Sequence, residues 1–342
     1  MITIVTQPAS ASPALITATL SAFEKTAVLR AAIDLDVFTA IAEGVDTVEA
    51  LTARCEASPR GMRVLADSLT VLGFLTKHGQ SYRLTPDSAV YLDKRSADYL
   101  GGLAKFAASA EKFQRFLDDP AGWVRRGGPG DLANVAPDNP IWVDFAVGMV
   151  PLVAPIARQM ADMLVAAGIA PRHVLDIAAG HGLYGIEVAR RNPHAGIVAV
   201  DWAPVLELAR KNATQAGIDA RYVTRPGDAF TIDFGHDYDL VLVPNFLHHF
   251  GIPTCIDFLR RVRGALVAGG RLAILEYVPN EDRVSPPFQA LFALTMLTGT
   301  PEGDAHTVRD LRVMCREAGF GDIEILPVPN TAQTLVLATA GA

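Results

Sequence analysis

The chain has 342 residues, a length that fits two domains better than one ordinary core. Half of the residues are hydrophobic and only 20% are charged, which favours a large buried core and argues against global disorder. The net charge of -7 argues against a generally basic nucleic-acid-binding protein, so we expect no nucleic-acid partner.

The cysteines and the apolar segments indicate a reduced, soluble protein. Cys55, Cys255 and Cys315 show neither CxxC nor metal-ligand spacing, so we expect free thiols and no metal site. The first 13 residues contain no Lys or Arg and therefore lack the charged start of a secretory signal. The most apolar later stretch, Phe145–Ala157, is too short to span a bilayer. We therefore expect a cytoplasmic protein with no membrane partner.

The region from about residue 21 to residue 92 has the pattern of helices followed by a hairpin. Apolar residues at helical spacing predict a first helix that ends at Gly44. Asp46 or Thr47 can cap a second helix, and Ser58 opens a third with a proline in its first turn. A run that alternates around a glycine-containing turn then predicts a β-hairpin. Three helices and a hairpin predict a winged-helix-like domain.

A winged-helix-like domain has two interpretations, DNA binding or packing and dimerisation. Arg60 and Arg63 lie on the third helix, where a DNA-binding protein places its contacts. Two arginines are too few for a convincing phosphate-binding surface. We therefore favour the interpretation without DNA.

The segment that follows is less regular. Residues 97–139 include the loop-like run RRGGPGDLANVAPDNP. Residues 141–167 predict a broken apolar helix that bridges the two halves of the chain.

From about residue 173, short β-rich runs alternate with amphipathic segments. This alternation predicts an α/β fold with a doubly wound, mostly parallel, Rossmann-like sheet. The β-rich runs are HVLDIAAG, GIVAVD, YVTRPGD, DLVLVPN and RLAILEYV. The last two runs are joined by a Pro-Asn turn, which predicts an antiparallel C-terminal hairpin on the sheet.

The first predicted strand of this sheet runs into a glycine loop. Gly180, Gly182 and Gly185 spell GxGxxG between a strand and a helix, which permits a tight turn and a close backbone approach to a ligand. Asp201 ends the next strand, where a carboxylate accepts hydrogen bonds from ribose hydroxyls. We therefore expect an adenosine-type ligand, but the motif alone does not choose NAD over S-adenosylmethionine.

Three further features favour S-adenosylmethionine. Asp176 precedes the loop, where a carboxylate suits a zwitterionic sulfonium ligand better than a pyrophosphate. Asp228 follows the third strand and can bond an adenine amino group, while Phe230 can pack on the ring. The fourth strand exits into PNFLHHF, which places two histidines at the edge where such sheets bind ligands. Each residue alone is also typical of a cap or a turn, and their joint positions favour the methyl donor.

In order, VLDIAAGHG, VDWAP, GDAF, DLVLVPNFLHH and GGRLAILE resemble the successive motifs of class I methyltransferases. From about residue 20 onward, the chain resembles the small-molecule O-methyltransferase family of plant phenolic and bacterial antibiotic pathways. The resemblance implies S-adenosylmethionine as cofactor, a small and aromatic methyl acceptor, and a homodimer formed through the N-terminal domain.

The resemblance also implies a division of the chain. Residues 1–100 would be the winged-helix-like dimerisation domain, residues 101–165 a helical linker that contributes to the acceptor pocket, and residues 166–342 the cofactor-binding domain. The cofactor-binding residues that we expect are Asp176, Gly180, Gly182, Asp201, Trp202, Asp228, Ala229, Phe230 and Asn245.

The resemblance assigns catalysis to a histidine. His248 matches the general base of the family, and a neutral imidazole with a pKa of about 6.5 suits a phenol with a pKa of about 10. Glu276, at the end of the fifth strand, matches the first of two acids that orient the imidazole. The second acid falls at Ala305, which cannot serve, so its neighbours Asp304 and His306 are the candidates to compensate.

We expect the acceptor pocket to be apolar and tolerant of aromatic molecules, although each of its candidate residues could equally be plain core. The candidates are Trp142, Phe145, Met149, His249, Phe288, Phe292 and Met296. The missing second acid leaves room for a more acidic hydroxyl, or for a nitrogen or carbon acceptor methylated mainly by proximity. The rival interpretations are an NAD-dependent oxidoreductase and a winged-helix regulator that senses S-adenosylmethionine without catalysis.

Overall fold

The computed structural model describes residues 11–129 and 141–341 of the chain. The chain divides into two compact units, Met1–Ser109 and Ala110–Ala342. The finer division into three parts stays a prediction. Most of the loop-like run expected before residue 141 lies outside the described residues.

The N-terminal unit contains helices and a hairpin. Its elements are α1 (Ala14–Leu20), α2 (Ala22–Asp34), α3 (Val37–Ala42), α4 (Val48–Arg54), α5 (Pro59–Val71), β1 (Leu75–His78), β2 (Ser81–Leu84), α6 (Pro86–Tyr91) and α7 (Leu103–Ala107). The single helix predicted up to Gly44 is wrong, because Asp36 has a left-handed φ of 59° and separates α2 from α3. Of the two candidate caps for α4, Thr47 accepts the amide of Ala50, and Ser58 caps α5 as expected.

One acidic residue holds the hairpin against α5. The Asp67 carboxylate accepts hydrogen bonds from the Tyr82 hydroxyl at 2.7 Å and from the Lys77 ammonium at 2.6 Å. Tyr82 is fully buried. An unpaired hydroxyl there would cost about 1–3 kcal/mol, so Asp67 stabilises the position of the hairpin.

The C-terminal unit is a mixed α/β structure. Its helices are α8 (Ala110–Leu117), α9 (Pro120–Arg126), α10 (Ile141–Ala166), α11 (Leu183–Arg191), α12 (Ala203–Gln215), α13 (Ile252–Ala265), α14 (Pro287–Gly299) and α15 (Val308–Glu317). Its strands are β3 (His173–Ile177), β4 (Gly196–Asp201), β5 (Tyr222–Pro226), β6 (Tyr238–Pro244), β7 (Leu266–Glu276), β8 (Phe320–Pro327) and β9 (Thr334–Ala340). The order in the sheet is β5-β4-β3-β6-β7-β9-β8, with β3 to β7 parallel and β9 antiparallel to both neighbours. The predicted fold class is confirmed.

Two stretches are more helical than the sequence predicted. The irregular region after residue 97 contains α7, α8 and α9 in its described part, because Asp119 caps α9 and short apolar faces suffice for helices of 5 to 8 residues. The helix predicted as broken is continuous, since α10 runs through Pro151 and Pro155. By length and composition alone, part of this helix (Phe145–Ala166) could cross a membrane. Its side chains Val153, Ala157, Met160 and Leu164 are instead buried in the core of this unit.

Two apolar cores lie on opposite faces of the sheet. One joins α10, α11 and α12 to β3 and β4, and the other joins α13 and α15 to the remaining face. Because both faces are covered, polar side chains gather where the parallel strands end at their carboxyl edge.

Candidate active site

The loop after β3 is built from left-handed residues. Ala178, Gly180 and Gly182 have φ values of 53°, 57° and 76°. A left-handed backbone conformation causes no steric strain in glycine, whereas it costs Ala178 about 1–2 kcal/mol of conformational free energy. A Cβ on Gly182 would lie 2.5 Å from the Tyr222 hydroxyl. A Cβ on Gly185 would lie 2.8 Å from the Asp176 carboxylate, so both glycines are also required by packing.

Asp201 ties this loop to the end of β4. Its two oxygens accept the amides of Gly180 at 2.8 Å and Trp202 at 2.6 Å. Burial raises the pKa of Asp201, and these two backbone hydrogen bonds lower it in part. The carboxylate therefore fixes the loop and keeps lone pairs at the edge of the sheet.

Asp176 is fully buried beneath the helix that follows the loop. One of its oxygens accepts the amide of Gly185 at 3.0 Å. The other has no hydrogen-bond partner among the described residues. Burial raises the pKa of this carboxyl to about 8. A cationic ligand group placed nearby would favour the ionised form.

The other residues expected around an adenosine lie at the ends of β4 and β5. Trp202 is half-buried and directly precedes α12. Asp228 accepts the amide of Phe230 at 2.8 Å, and the carbonyl of Ala229 accepts a guanidinium hydrogen bond from Arg261 at 2.6 Å. The Phe230 ring packs on an aromatic cluster whose other members are Phe246, Phe250 and Phe258. Their contacts with a ligand stay predictions.

The structure brings His248 and Glu276 together. The ring Nδ1 of His248 lies 2.6 Å from one oxygen of the Glu276 carboxylate. The other oxygen accepts the amides of Leu247 at 2.9 Å and His248 at 3.3 Å. Both residues are buried. With Nδ1–H donating to the carboxylate, the tautomer leaves the Nε2 lone pair available as a base.

Asp304 and His306, the two neighbours of Ala305, hydrogen-bond backbone carbonyls of the turn that carries His248. The carboxylate of Asp304 pairs with Arg283 at 2.9 Å, and its amide donates to the His248 carbonyl at 3.0 Å. His306 is buried, and its Nε2 donates to the carbonyls of Leu247 and Phe250 at 3.3 and 3.1 Å. Ala305 is buried too. In the described part of the chain, the side-chain hydrogen bonds of Asp304 and His306 go to Arg283 and to these carbonyls, so neither side chain takes the place of the second acid beside the His248 ring.

Aromatic rings surround His248. Phe292 of α14 meets it edge-on with ring centroids 4.9 Å apart, and His249 lies 4.3 Å away. Burial and the neighbouring His248 hold the pKa of His249 well below its usual value, so this ring is neutral. Tyr277 packs against Phe292 at 4.7 Å and against the exposed Phe288 at 5.5 Å. The wall beside the base is therefore aromatic and uncharged.

The remaining acceptor candidates lie on α14 and α10. Met296 is buried on α14, and Met149 packs against the core on the α10 face of the sheet. Phe145 is half-buried on α10. The side chain of Trp142 lies outside the described residues. No group of three or more His, Cys, Asp or Glu in the described ranges is arranged to hold a metal ion.

Sequence reasoning missed several residues of this edge, among them His181, Tyr277 and Gln333. His181 in the glycine loop is buried, its Nδ1 accepts the Leu183 amide at 3.2 Å, and burial lowers its pKa to about 4. Tyr277 follows β7, and Gln333 precedes β9. Only the GxGxxG pattern around His181 gave a signal, because the other two depend on how β7 and β9 pair.

Known proteins are similar to this chain over most of its length. A family model of the O-methyltransferase domain matches residues 158–321, and one of the O-methyltransferase dimerisation domain matches residues 17–94. The chain is 28% identical to 3-hydroxy-5-methyl-1-naphthoate 3-O-methyltransferase of Streptomyces sahachiroi, over 93% of this chain and 92% of that one.

Solved structures are also similar. A putative O-methyltransferase from Nostoc punctiforme is 43% identical, with a TM-score of 0.92 over 96% of this chain and 100% of that one. Human N-acetylserotonin methyltransferase, solved in complex with S-adenosylmethionine, is 24% identical, with a TM-score of 0.84 over 98% and 100%. At this identity, the second likeness speaks for the fold alone.

Proposed function

Because this chain belongs to the family of S-adenosylmethionine-dependent O-methyltransferases, we propose that it methylates a hydroxyl oxygen of a small aromatic molecule with His248 as general base. The observation that carries the proposal is the 2.6 Å contact between His248 Nδ1 and the Glu276 carboxylate. It fixes the tautomer in which Nε2 can accept the proton of the hydroxyl.

The residues at the carboxyl edge fit the cofactor of this family. Its sulfonium and ammonium groups are cationic, and Asp176 offers a buried oxygen without a partner in the described part of the chain. Asp201 keeps lone pairs for the ribose hydroxyls, and Asp228, whose carboxylate accepts the Phe230 amide, is our candidate for the adenine amino group. We assign cofactor binding to these residues together with Gly180, Gly182, Trp202, Ala229, Phe230 and Asn245.

The reaction asks little covalent chemistry of the protein. When bound, the cofactor supplies an electrophilic methyl group on sulfur, and the oxygen of the acceptor displaces that sulfur. His248 takes the hydroxyl proton, and Glu276 stabilises the imidazolium that results. Phe292 and Tyr277 hold a flat acceptor beside Nε2 and exclude water there.

The surroundings of the base favour a neutral, flat acceptor. Glu276 is the acidic residue that contacts His248. The rings next to the base are uncharged, since His249 contacts His248 and Tyr277 contacts Phe292. Since these described rings carry no charge, a charged acceptor group would lose its hydration beside them without an ion pair in return. Phe288 and Met296 on the same helix extend the apolar surface, and we place Trp142, Phe145 and Met149 of α10 among the acceptor candidates by resemblance alone.

We further propose that the protein is a cytoplasmic homodimer whose N-terminal unit has the winged-helix-like arrangement. None of the residues of α1 is buried, and Leu15, Ile16 and Leu20 expose large apolar side chains. A second copy of the chain would cover this surface.

Replacing Leu15 and Ile16 by Glu should shift the protein from dimer to monomer in light scattering, whereas Val223→Glu on an exposed strand position should not.

Titration calorimetry and a transfer assay test the proposed activity. S-adenosylhomocysteine should bind and NAD should not. With labelled S-adenosylmethionine and a panel of phenols, hydroxynaphthoates and amines, a hydroxyl acceptor should be methylated. His248→Ala should lower that rate by about 10²–10⁴-fold, and the control His236→Ala, at an exposed residue, should not.

Two outcomes would overturn the proposal. Binding of NAD without binding of S-adenosylhomocysteine would return the chain to the oxidoreductase interpretation. A nearly normal rate in His248→Ala, especially on an amine, would mean that the enzyme works by proximity without a base.

A further inference from the structure

Four uncharged polar side chains from four separate elements meet at the carboxyl edge of the sheet. Tyr184 lies in the first turn of α11, Asn245 follows β6, Tyr277 follows β7 and Gln333 precedes β9. The Gln333 Nε2 donates to Asn245 Oδ1 at 2.7 Å, and Asn245 Nδ2 donates to the Tyr184 hydroxyl at 3.2 Å. Gln333 also hydrogen-bonds Tyr277, which lowers the pKa of a tyrosine that burial otherwise raises.

The position of Asn245 follows from the strand order. Asp228 follows β5, Asp201 follows β4 and the glycine loop follows β3, so an extended cofactor has its adenine at the β5 end. Its other end, the amino-acid part, then lies toward β6, where Asn245 stands. Asn245 has a left-handed φ of 53°, and its amide donates to the Leu275 carbonyl at 2.7 Å. Its backbone is therefore fixed before any ligand binds.

The orientation of the Asn245 side-chain amide is set by its hydrogen bond with Gln333. An amide group can turn by 180° and exchange its donor for its acceptor. Here the Gln333 Nε2 holds Oδ1, which directs Nδ2 toward Tyr184 and the glycine loop. One N–H of Asn245 then remains for a carboxylate on that side.

Gln333 is itself held rigidly. It is only 3% exposed, its amide donates to the Thr331 hydroxyl at 3.1 Å, and its carbonyl accepts the amide of Val328 at 2.9 Å. Its Oε1 is buried without a hydrogen-bond partner among the described residues, so the hydrogen bond to Asn245 is made by the Nε2 end of the side chain. The donor end of this side chain is the one the protein uses.

We propose that Gln333 is a positioning residue that orients the Asn245 amide toward the amino-acid end of the cofactor. The inference rests on the proposed function, since it assumes that the cofactor binds along this edge. On its other side, the Asn245 amide is held by the Tyr184 hydroxyl.

A comparison of two ligands tests this role. S-adenosylhomocysteine carries the amino-acid end, and 5′-methylthioadenosine lacks it. In calorimetry, Gln333→Met should raise the Kd of S-adenosylhomocysteine about 5–10-fold and leave that of 5′-methylthioadenosine within about 2-fold, a loss typical of one hydrogen bond. A residue that only stabilises the fold would change both affinities together.

Two further variants sharpen the test. Asn245→Ala should weaken S-adenosylhomocysteine by a similar factor, and adding Gln333→Met to it should cause no further loss. The matched control is Gln289→Met, because Gln289 Nε2 donates to the Ala332 carbonyl at 3.1 Å and supports the same turn. This control should leave both affinities unchanged.

The outcomes separate the two proposals. If wild-type protein binds neither ligand, the proposed function falls and this inference with it. If wild type binds both, additive losses in the double variant, equal losses for both ligands, or an equal effect of Gln289→Met would overturn the role of Gln333 alone.

Discussion

Two regions at the carboxyl edge of the sheet differ in whether their polar groups find hydrogen-bond partners within the protein. In the turn of His248, Glu276 accepts two backbone amides and the imidazole, while His306 and the Asp304 amide bind the carbonyls of the turn. In the glycine loop, Asp176 keeps an oxygen unpaired within the described chain. The base is therefore organised by the protein itself, whereas the loop is built to be completed by a ligand.

The largest effect on activity should come from disrupting the hydrogen bonds of the turn that carries His248. In Glu276→Gln, a single amide oxygen cannot accept both the imidazole and the two backbone amides, so the tautomer of His248 is lost. We expect kcat to fall about 10²-fold, measured at saturating cofactor. The Kd of S-adenosylhomocysteine should stay within about 2-fold, and a large loss of binding would show that the two regions are not separate.

Breaking the glycine loop should act on binding. In Gly182→Ala, the new Cβ would lie 2.5 Å from the Tyr222 hydroxyl in a residue with a φ of 76°. We expect a loss of about 10-fold in affinity for S-adenosylhomocysteine and about 1–3 kcal/mol in the free energy of unfolding.

Gly217→Ala is the matched control for this prediction. Gly217 has a similar φ of 70° but nothing within 4 Å of a Cβ. It should show the backbone cost without the loss of affinity. Equal affinity losses in the two variants would place the effect in global stability.

A smaller effect should follow from loosening the turn without touching its acid. His306→Ala removes the donor to the Leu247 and Phe250 carbonyls, and kcat should fall about 3–10-fold with little change in cofactor affinity. His306→Gln keeps a donor at a similar reach and should recover most of the rate. If Gln recovers nothing, the turn is not positioned through this donor.

The smallest effect concerns the pH dependence of stability in the ligand-free protein. Burial raises the pKa of Asp176 to about 8 in the folded protein, against an ordinary value of 3.8. Between about pH 4 and 8, the folded state therefore keeps a proton that the unfolded chain has lost, so this group's contribution to stability falls as pH rises. Asp176→Asn lacks this dependence, and its Tm advantage over wild type should grow from about pH 5 to 8.

The control for this prediction is cofactor binding. The same variant should bind S-adenosylhomocysteine more weakly, because the ionised oxygen is lost. A Tm difference that does not depend on pH would contradict the buried titration of Asp176.

The alternation of β-rich and amphipathic segments in the sequence predicted most of the sheet and the acidic and histidine residues at its carboxyl edge. Asp176, Asp201, His248 and Glu276 each lie at or after the end of a β-rich run, and parallel strands bring such ends to one edge. The roles of Asp304 and His306 could not be predicted, because they depend on an ion pair with Arg283 and on carbonyls about 56 to 59 residues away. Gln333 escaped notice because it reaches Asn245 only through the pairing of β9 with β7.

The errors in the fold have local causes. The break at Asp36 is one left-handed residue inside an otherwise continuous helical pattern. The sequence suggested that Pro151 and Pro155 would break α10. The helix is continuous, because burial of its other side chains in the apolar core outweighs the cost of the two prolines.

The position of β9 has a consequence for how the protein is made. It follows β8 along the chain, yet it lies between β7 and β8 in the sheet. During synthesis from the N-terminus, both neighbours must wait with unpaired edges, and such edges invite pairing with other chains. Glu276 ends β7 opposite Thr334, and Gln333 directly precedes β9. The side chain of Gln333, which holds Asn245, therefore reaches its place only when this strand has been synthesised and has paired with β7.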